Sequence, residues 1–197
     1  MSKKPVVTIR RPEKEDLEHV SEWMTDPDFL FFLYGDPTQS PKHIRDQVLS
    51  RFGSEQSIYD SNIHLIIESR DDGPIGLITF HSISWKSRHS MIEVFLVAAK
   101  RNRIHGAIAL YKAMDYAFTE LNMHRVGAYV YEFNKRSMRM AERSGAKREQ
   151  ILRRHTYRDG RYWDMYGYGL LRDEFEQTKE RFEKSFLGRA LDEETSP

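Results

Sequence analysis

Two strand-to-helix junctions within residues 91–145 constrain the fold of this chain more than any other feature. The apolar, strand-like run Met91–Val97 leads through a basic segment into an amphipathic helix, and the run Arg125–Tyr131 leads into a helix that Asn134 opens and Gly145 ends. Backbone N–H groups at a helix start, together with the positive end of the helix dipole, form an anion-binding site. The pattern therefore predicts a phosphate-bearing ligand held where two strands end.

Periodicity and turn residues predict how the remaining segments alternate between strands and helices. Strands are predicted at Val6–Arg10, Asn62–Glu68, Ile75–Ile83, Gln150–Tyr157 and Tyr162–Leu171, with hairpin turns at 71–74 and 158–160. Helices are predicted at Glu13–Thr25, from Pro41 to Phe52, from Ala107 to Leu121 and from Asp173 to Phe186. This order, without an internal repeat, predicts one α/β domain over residues 1–190, with residues 191–197 as a frayed tail.

Composition narrows the class of protein. Lysine and arginine number 31 and aspartate and glutamate 30, so the net charge is +1 and gives no general nucleic-acid signature. The absence of cysteine excludes disulfides, zinc–thiolate sites and a cysteine nucleophile. No apolar run is long enough for a signal peptide or a membrane span, which predicts a cytoplasmic protein. The eight histidines are scattered without metal-ligand spacing, so we expect no metal.

A set of short motifs runs in order along nearly the whole chain. Its members are Ile9, Arg10, Pro12, Asp16, Leu17, Pro74–Gly76, Asp115–Phe118, Asn134, Ser137, Gly145, Arg153, Asp159, Gly160, Asp164, Tyr168–Leu171 and Asp173–Phe175. In order and spacing this set resembles the GCN5-related N-acetyltransferase (GNAT) family, most closely the branch that acetylates ribosomal-protein N-termini and small amines. The resemblance implies an α/β (α+β) fold with a central mixed, mostly antiparallel twisted sheet of about seven strands, splayed between strands 4 and 5 and flanked by helices.

The same resemblance implies acetyl-CoA, or another acyl-CoA, as co-substrate. Its pantetheine arm is expected to enter the gap and pair with the fourth strand at Phe95, Leu96 and Val97. Its pyrophosphate is expected on the segment that opens the next helix, formed by Arg101, Asn102, Arg103, Ile104, His105, Gly106 and Ala107. Asn134 and Ser137 are expected beside the arm near the thioester.

One position departs from the family's phosphate loop. That loop reads Arg/Gln-x-x-Gly-x-Gly/Ala, and aligning it on Asp115–Phe118 puts Ile104 where the first glycine belongs. A glycine there lets the backbone approach phosphate without a Cβ in the way. The isoleucine, inside the basic run Lys100–His105, leaves open a GNAT-fold transferase that takes its acyl group from another carrier, such as an aminoacyl-tRNA. A non-catalytic, ligand-binding domain of this fold is the third alternative.

Glu93 is the preferred general base. It is the lone carboxylate in an otherwise apolar strand, where burial would raise its pKa toward a useful range. The alternative is an ion pair between Glu93 and a neighbouring Arg or His. By resemblance, Ser137 is a candidate for the acid that protonates the leaving group, with Tyr131 in reserve. The carbonyl oxygen of the thioester is expected to meet a backbone N–H near Val97.

Aromatic side chains around the gap are expected to select the acceptor. The predicted acceptor-binding residues are Phe31, Phe32, Tyr34, Trp85, Glu132 and Trp163. Aromatic walls with a few acids, among them Glu132 and Asp164, suit a cationic amine; ordinary core and rim packing is the alternative for each residue.

The leading hypothesis is an N-acyltransferase that moves an acetyl group from acyl-CoA to a primary amine. The acceptor is a small molecule or a peptide N-terminus, and the amine attacks directly in a ternary complex. We expect a monomer or homodimer that binds no membrane and, outside the tRNA alternative, no nucleic acid.

Overall fold

The computed structural model describes residues 6–23, 26, 29, 40, 42, 46, 62–101 and 103–182. Within them the strands are β1 (Val7–Arg10), β2 (Ile63–Ser69), β3 (Gly73–Ser84), β4 (His89–Leu96), β5 (Arg125–Tyr131), β6 (Lys147–Arg158) and β7 (Arg161–Leu171). The helices are α1 (Asp16–Trp23), α2 (Arg103–Thr119), α3 (Lys135–Arg143) and α4 (Arg172–Phe182), and a 3₁₀ turn spans Ala98–Lys100. No helix in this described part has the length and apolar character that a bilayer crossing requires.

The described strands form one sheet in the order β1-β2-β3-β4-β5-β7-β6. All neighbours pair antiparallel except β4 and β5, which run parallel. The β4–β5 ladder holds three residue pairs and ends at Met91 and Gly127, although β4 continues to Leu96 and β5 to Tyr131. The predicted mixed, mostly antiparallel sheet that opens between its fourth and fifth strands is therefore confirmed.

Left-handed backbone at the hairpin turns sets the pairing of the outer strands. Gly73, between β2 and β3, has φ +67°, a conformation that costs glycine little because it lacks a Cβ. Between β6 and β7, Asp159 and Gly160 have φ +53° and +79°. Two consecutive positive φ angles are typical of the two-residue hairpin turn whose twist matches that of the strands. Both turns lie where the sequence predicts them.

The two faces of the sheet pack into separate apolar clusters. The larger one joins β-strand side chains to α2 and α4 and includes Leu96, Ile108 and Phe175. The smaller one consists of Val20, Trp23, Phe29, Ile66, Leu77 and Phe95. Because side chains alternate along a strand, Phe95 and Glu93 share the face of β4 that is turned toward α1. Glu93 is therefore held at the border of an apolar cluster.

The opening motif of the chain has a structural role that the fold makes clear. The Arg10 guanidinium donates to both carboxylate oxygens of Asp16, at 2.6 and 2.9 Å, and the Glu13 N–H donates to the same carboxylate at 2.7 Å. Asp16 is 2% exposed. A buried carboxylate is tolerated when it is paired and hydrogen-bonded in this way. The motif thus fixes the entry of α1 against β1.

Several predicted boundaries move. The helix predicted from Ala107 begins at Arg103, because the apolar Ile104 packs onto the larger cluster and extends the helix toward its N-terminus. The strand at Arg125–Tyr131 and the helix opened by Asn134 are confirmed. The predicted helix at 41–52, the segment 30–34 and the tail at 191–197 lie outside the described residues, apart from the isolated positions 42 and 46.

Candidate active site

The divergence of β4 from β5 opens a cleft of about 810 Å³. Its walls are the separated halves of both strands, parts of α2 and α3, and parts of β6 and β7. Pockets for small-molecule ligands have volumes of roughly 300–1,000 Å³. The predicted site residues that the structure brings together in its wall are Glu93, Phe95, Leu96, Arg101, Gly106, Tyr131, Asn134 and Ser137.

The backbone of β4 offers hydrogen-bonding groups to this cleft at alternate residues. The N–H of Val97 donates to the Ile75 carbonyl oxygen at 3.0 Å, so this N–H faces β3 instead of the gap. In an antiparallel pair, every second residue directs both its backbone N–H and its backbone C=O to the same neighbouring strand. The backbone groups of Phe95 therefore also point to β3, whereas those of Val94 and Leu96 point to the cleft. This geometry favours Leu96 for pairing with the co-substrate, and the pairing of Phe95, Leu96 and Val97 stays a prediction.

Arg101 ties the end of β4 to its surroundings. Its Nε donates to the Leu96 carbonyl oxygen at 2.7 Å, and its guanidinium carbon lies 5.5 Å from the centre of the Phe95 ring. One guanidinium nitrogen is 3.6 Å from an Asp26 carboxylate oxygen. Phe95 itself is 5% exposed and anchors β4 in the smaller cluster. These contacts place a cation at the mouth of the cleft.

Ile104 and Gly106, on which the comparison with the family's phosphate loop depends, lie close together at the start of α2 but have different surroundings. Ile104 packs against the larger core cluster and is absent from the cleft wall, so its side chain does not occupy the cleft. Gly106 does line the cleft, and a Cβ there would lie 3.5 Å from Leu96 Cδ1 and 3.6 Å from Met140 Sδ. His105 and Ala107 also lie outside the wall. The isoleucine in the first-glycine position therefore leaves the cleft open.

The basic run before α2 is partly used within the fold. Lys100 Nζ lies 2.6 Å from Asp72 Oδ1 in the β2–β3 turn, and Arg101 contacts Leu96, Phe95 and Asp26. Asn102 falls outside the described residues, and Arg103 contributes the first helical N–H group of α2. The N–H groups at the start of α2 add to these basic side chains, since the first turn of a helix can bind an anion.

Glu93 is the titratable group that the cleft places in an apolar setting. It pairs with Thr79 across the β3–β4 ladder, and 34% of its side chain is exposed. Burial raises the pKa of Glu93 to about 7. The imidazole of His81 lies nearby, with Nε2 3.7 Å from Glu93 Oε1, and burial lowers the pKa of His81. The contact exceeds hydrogen-bond length, and burial disfavours the charged form of both groups.

Tyr131 and Ser137 approach the cleft from β5 and α3. Burial, followed by the charge of Glu93, raises the pKa of Tyr131, so its phenol stays protonated at neutral pH. Asn134 caps α3, and its Oδ1 accepts the backbone N–H of Ser137 at 3.1 Å. The helix start thus faces the cleft with its first turn organised by a side-chain cap.

Aromatic residues form the end of the cleft beyond β5. The rings of Tyr131 and Phe133 stack with centroids 5.3 Å apart, and Trp163 meets Phe133 edge-to-face at the same distance. The guanidinium carbon of Arg158 lies 5.0 Å from the Phe133 centroid, and that of Arg161 lies 3.4 Å from the Trp163 centroid. Phe133 lines the cleft, whereas Trp163 packs behind it outside the wall. Arginines of the protein itself therefore cover part of both rings.

The acids predicted for acceptor binding contact backbone groups. Asp164 Oδ1 accepts the Arg154 N–H at 2.8 Å, and Glu132 Oε2 accepts the Asp164 N–H at 3.3 Å. Trp85 lies in the turn between β3 and β4 and does not line the cleft. Phe31, Phe32 and Tyr34 lie outside the described residues. Among the residues that the structure does describe, no three His, Asp or Glu side chains form a group that could hold a metal ion.

Phe133, Arg136, His155 and Arg158 are among the wall residues that the sequence did not assign to the site. Phe133 and Arg136 flank the cap Asn134, so their position next to a predicted helix start was a usable signal. His155 and Arg158 reach the cleft because the β6–β7 register shifts between Leu152 and Thr156. No local sequence pattern indicates a shift of that kind.

The chain is similar in sequence and in fold to known proteins. A family model described as an acetyltransferase (GNAT) domain matches residues 7–147. The chain is 26% identical over 171 residues to the uncharacterized N-acetyltransferase p20 of Bacillus licheniformis, covering 86% of this chain and 94% of that protein. It is 21% identical over 175 residues to the spermidine N(1)-acetyltransferase of Vibrio cholerae, covering 86% and 95%. The crystal structure of spermidine N-acetyltransferase from Vibrio cholerae in complex with CoA and spermine has a TM-score of 0.76 at 19% identity, covering 87% of this chain and 98% of that one.

This chain belongs to the GNAT acetyltransferase family. It is an acyl-CoA-dependent N-acetyltransferase, and acetyl-CoA is the co-substrate from which it moves an acetyl group to an amine. The residues present fit that co-substrate, since the cleft combines backbone groups of β4 at Val94 and Leu96 with residues from the starts of two helices, where N–H groups can bind phosphate. The predicted reaction class and co-substrate are confirmed.

Proposed function

We propose that Glu93 is the general base that takes the proton from the acceptor amine. The observation that carries this assignment is a carboxylate in the cleft wall whose pKa, at about 7, lies near neutral pH. A base is most effective when its pKa is close to the working pH, because it is then both available and able to hold the proton. Asp159, the other carboxylate in the described wall, is 78% exposed in its side chain and less suited to this task.

The remaining residues position the reactants. Bound acetyl-CoA supplies an acetyl group activated as a thioester, so the protein's task is to orient it and to deprotonate the amine. The N–H of Leu96, which faces the gap, is our candidate for the donor to the carbonyl oxygen. Arg101, the start of α2 and the first turn of α3 are the groups that we assign to binding of the co-substrate.

For the proton donor on the leaving-group side we favour Tyr131 over Ser137. The phenol of Tyr131 lines the cleft, and its raised pKa keeps the Oη proton in place at neutral pH. Ser137 lines the same cleft and remains the second candidate. Loss of rate in Tyr131→Phe but not in Ser137→Ala supports this order, and the reverse result exchanges the two.

The acceptor that we propose is a primary amine of a small molecule or of a peptide N-terminus. The named relatives include spermidine acetyltransferases, whose substrate is an amine. For assembly we retain the prediction of a monomer or homodimer. A relative from Vibrio cholerae has been solved as a dodecamer, so light scattering of the purified protein is the measurement that decides.

The base assignment is tested with Glu93→Gln, which keeps the shape of the side chain and removes its basicity. We expect kcat to fall about 100-fold, because a positioned base contributes 10²–10⁴-fold, while the Kd for CoA stays unchanged. Glu176→Gln, at an exposed position of α4, is the control for the chemical change alone. An unchanged kcat in Glu93→Gln removes Glu93 from the mechanism.

A further inference from the structure

Basic side chains line the cleft near the β6–β7 turn. Arg158 and His155 do so from β6 and Arg136 from α3, and Asp159 is the carboxylate that the described residues add to this wall beside the turn. The Asp159 side chain is 78% exposed, and its Oδ2 lies 3.5 Å from Arg158 Nε. An exposed pair of this kind is screened by water and neutralises little of the local field.

The aromatic faces at this end are already in contact with cations of the protein. Arg158 lies over Phe133 and Arg161 over Trp163, at 5.0 and 3.4 Å from the ring centroids. Trp163 Nε1 donates to the Arg158 carbonyl oxygen at 3.1 Å, which joins the two rings and the turn. A cationic acceptor that approaches the arginine-covered face of either ring would have to displace the arginine and would be repelled by its charge.

Among the described residues, the acids Asp164 and Glu132 near this end accept backbone N–H groups. Asp164 accepts the N–H of Arg154, and Glu132 accepts the N–H of Asp164. Arg154 has φ +53°, and the carboxylate of Asp164 holds this left-handed conformation in place. These acids therefore stabilise the irregular backbone of β6.

We infer that the acceptor is an amine that carries an anionic oxygen group, a carboxylate or a phosphate, remote from the reacting nitrogen, and that Arg158 binds this group. Arginine presents a planar set of N–H donors that matches the oxygens of both anions. The inference rests on the proposed function, because it takes the nitrogen to react beside Glu93. It predicts a substrate whose remote end is anionic, in contrast to the cationic amino groups of spermidine, the substrate named for the Vibrio cholerae relative.

The test compares acceptors that differ only in the charge of their remote end. ω-Amino acids from β-alanine to 6-aminohexanoate are each assayed beside the amide and the diamine of equal length, and O-phosphoethanolamine is assayed beside ethanolamine to separate phosphate from carboxylate. We expect kcat/KM for the preferred anionic acceptor to exceed that of its diamine at least about 10-fold, since hydrogen bonds to charged groups are worth a factor of this order. Arg158→Gln should remove this preference and leave the amide unaffected, while Arg158→Lys keeps part of it.

Arg148→Gln is the matched control. Arg148 lies on the same strand and its guanidinium carbon is 5.0 Å from the Tyr166 centroid, but neither residue lines the cleft. A preference for the diamine overturns the inference, as does an Arg158→Gln variant that raises KM for acetyl-CoA instead of for the acceptor. If no amine is acetylated, the proposed function fails separately. Calorimetry of the same compounds on CoA-loaded protein then decides the inference: tighter binding of the anionic series supports it, and equal or absent binding overturns it.

Discussion

His81 Nε2 lies 3.7 Å from Glu93 Oε1, at the point where β3 leaves its regular pairing with β4. The register shifts between His81 and Ser84, Ser82 has φ +50°, and the Ser82 hydroxyl lies 3.1 Å from His81 Nδ1. The bulge therefore aims the imidazole at the carboxylate without forming a hydrogen bond. Burial raises the pKa of Glu93, and we expect the neighbouring His81 to modulate it.

The first prediction concerns the pH dependence of the rate. A base must be deprotonated to act. We therefore expect kcat/KM to rise with pH through an apparent pKa near 7, because burial raises the pKa of Glu93 to about 7. His81→Phe replaces a polar neighbour of the carboxylate by an apolar one and should shift this limb to higher pH by about half a unit to one unit. His81→Gln keeps a polar group and should leave it nearly in place. A limb that does not move in His81→Phe shows that His81 has no influence on Glu93.

The second prediction is that Glu93 reduces the stability of the fold at high pH. Its pKa is about 7 when folded and 4.5 for the unperturbed group, so folding binds a proton between these values and stability falls as pH rises through that window. Above pH 7 the cost is complete, and below about pH 4.5 it vanishes. After discounting for the exposed third of the side chain, Glu93→Gln should gain on the order of 1 kcal/mol at pH 8, which is about 2–4 °C in Tm. Equal Tm gains at pH 4.5 and pH 8 contradict the stated cause.

The third prediction concerns the cap of α3. Asn134→Ala removes the acceptor for the Ser137 N–H and should lower the free energy of unfolding by about 1 kcal/mol. Asn134→Asp keeps an acceptor at the same place and should restore stability. Chemical denaturation measures both variants. If Asn134 also contacts the co-substrate, the KM for acetyl-CoA rises in both variants, because aspartate adds a negative charge next to an anion.

Local signals in the sequence were sufficient for the elements around the cleft. The β-branched and aromatic run Arg125–Tyr131, the cap Asn134 and the turn Asp159–Gly160 each follow from the chemistry of a few neighbouring residues, and the structure agrees. The opening of the sheet was predicted from the resemblance of the motif set to a family. These elements and the opening depend on short-range residue preferences and on the order of elements along the chain.

The orientation of groups inside the cleft depended on contacts between distant residues. Whether Val97 or Leu96 faces the gap is decided by pairing with Ile75, and a shift of one residue reverses every group along the strand. The arginines over Phe133 and Trp163 arrive through the irregular β6–β7 register. The contacts of these two rings could therefore not be predicted from residue types alone.

The last prediction separates the two residues at the start of α2. Ile104→Gly restores the glycine of the family's loop but removes a side chain that packs on the core, so we expect a loss of about 2–3 kcal/mol from packing and helix propensity together. Its affinity for CoA should not improve, because Ile104 does not line the cleft. Gly106→Ala should have the opposite profile: its Cβ makes ordinary contacts, and alanine is worth about 1 kcal/mol over glycine in a helix.

The added methyl group of Gly106→Ala stands in the cleft wall, so the variant should raise the Kd for CoA while Tm is unchanged or higher. Calorimetric titration with CoA and thermal unfolding of both variants give the two quantities. Tighter CoA binding in Ile104→Gly would show that the isoleucine does obstruct the phosphate site. Unchanged binding in Gly106→Ala would place the diphosphate away from the first turn of α2, and the anion site would then have to be sought at α3.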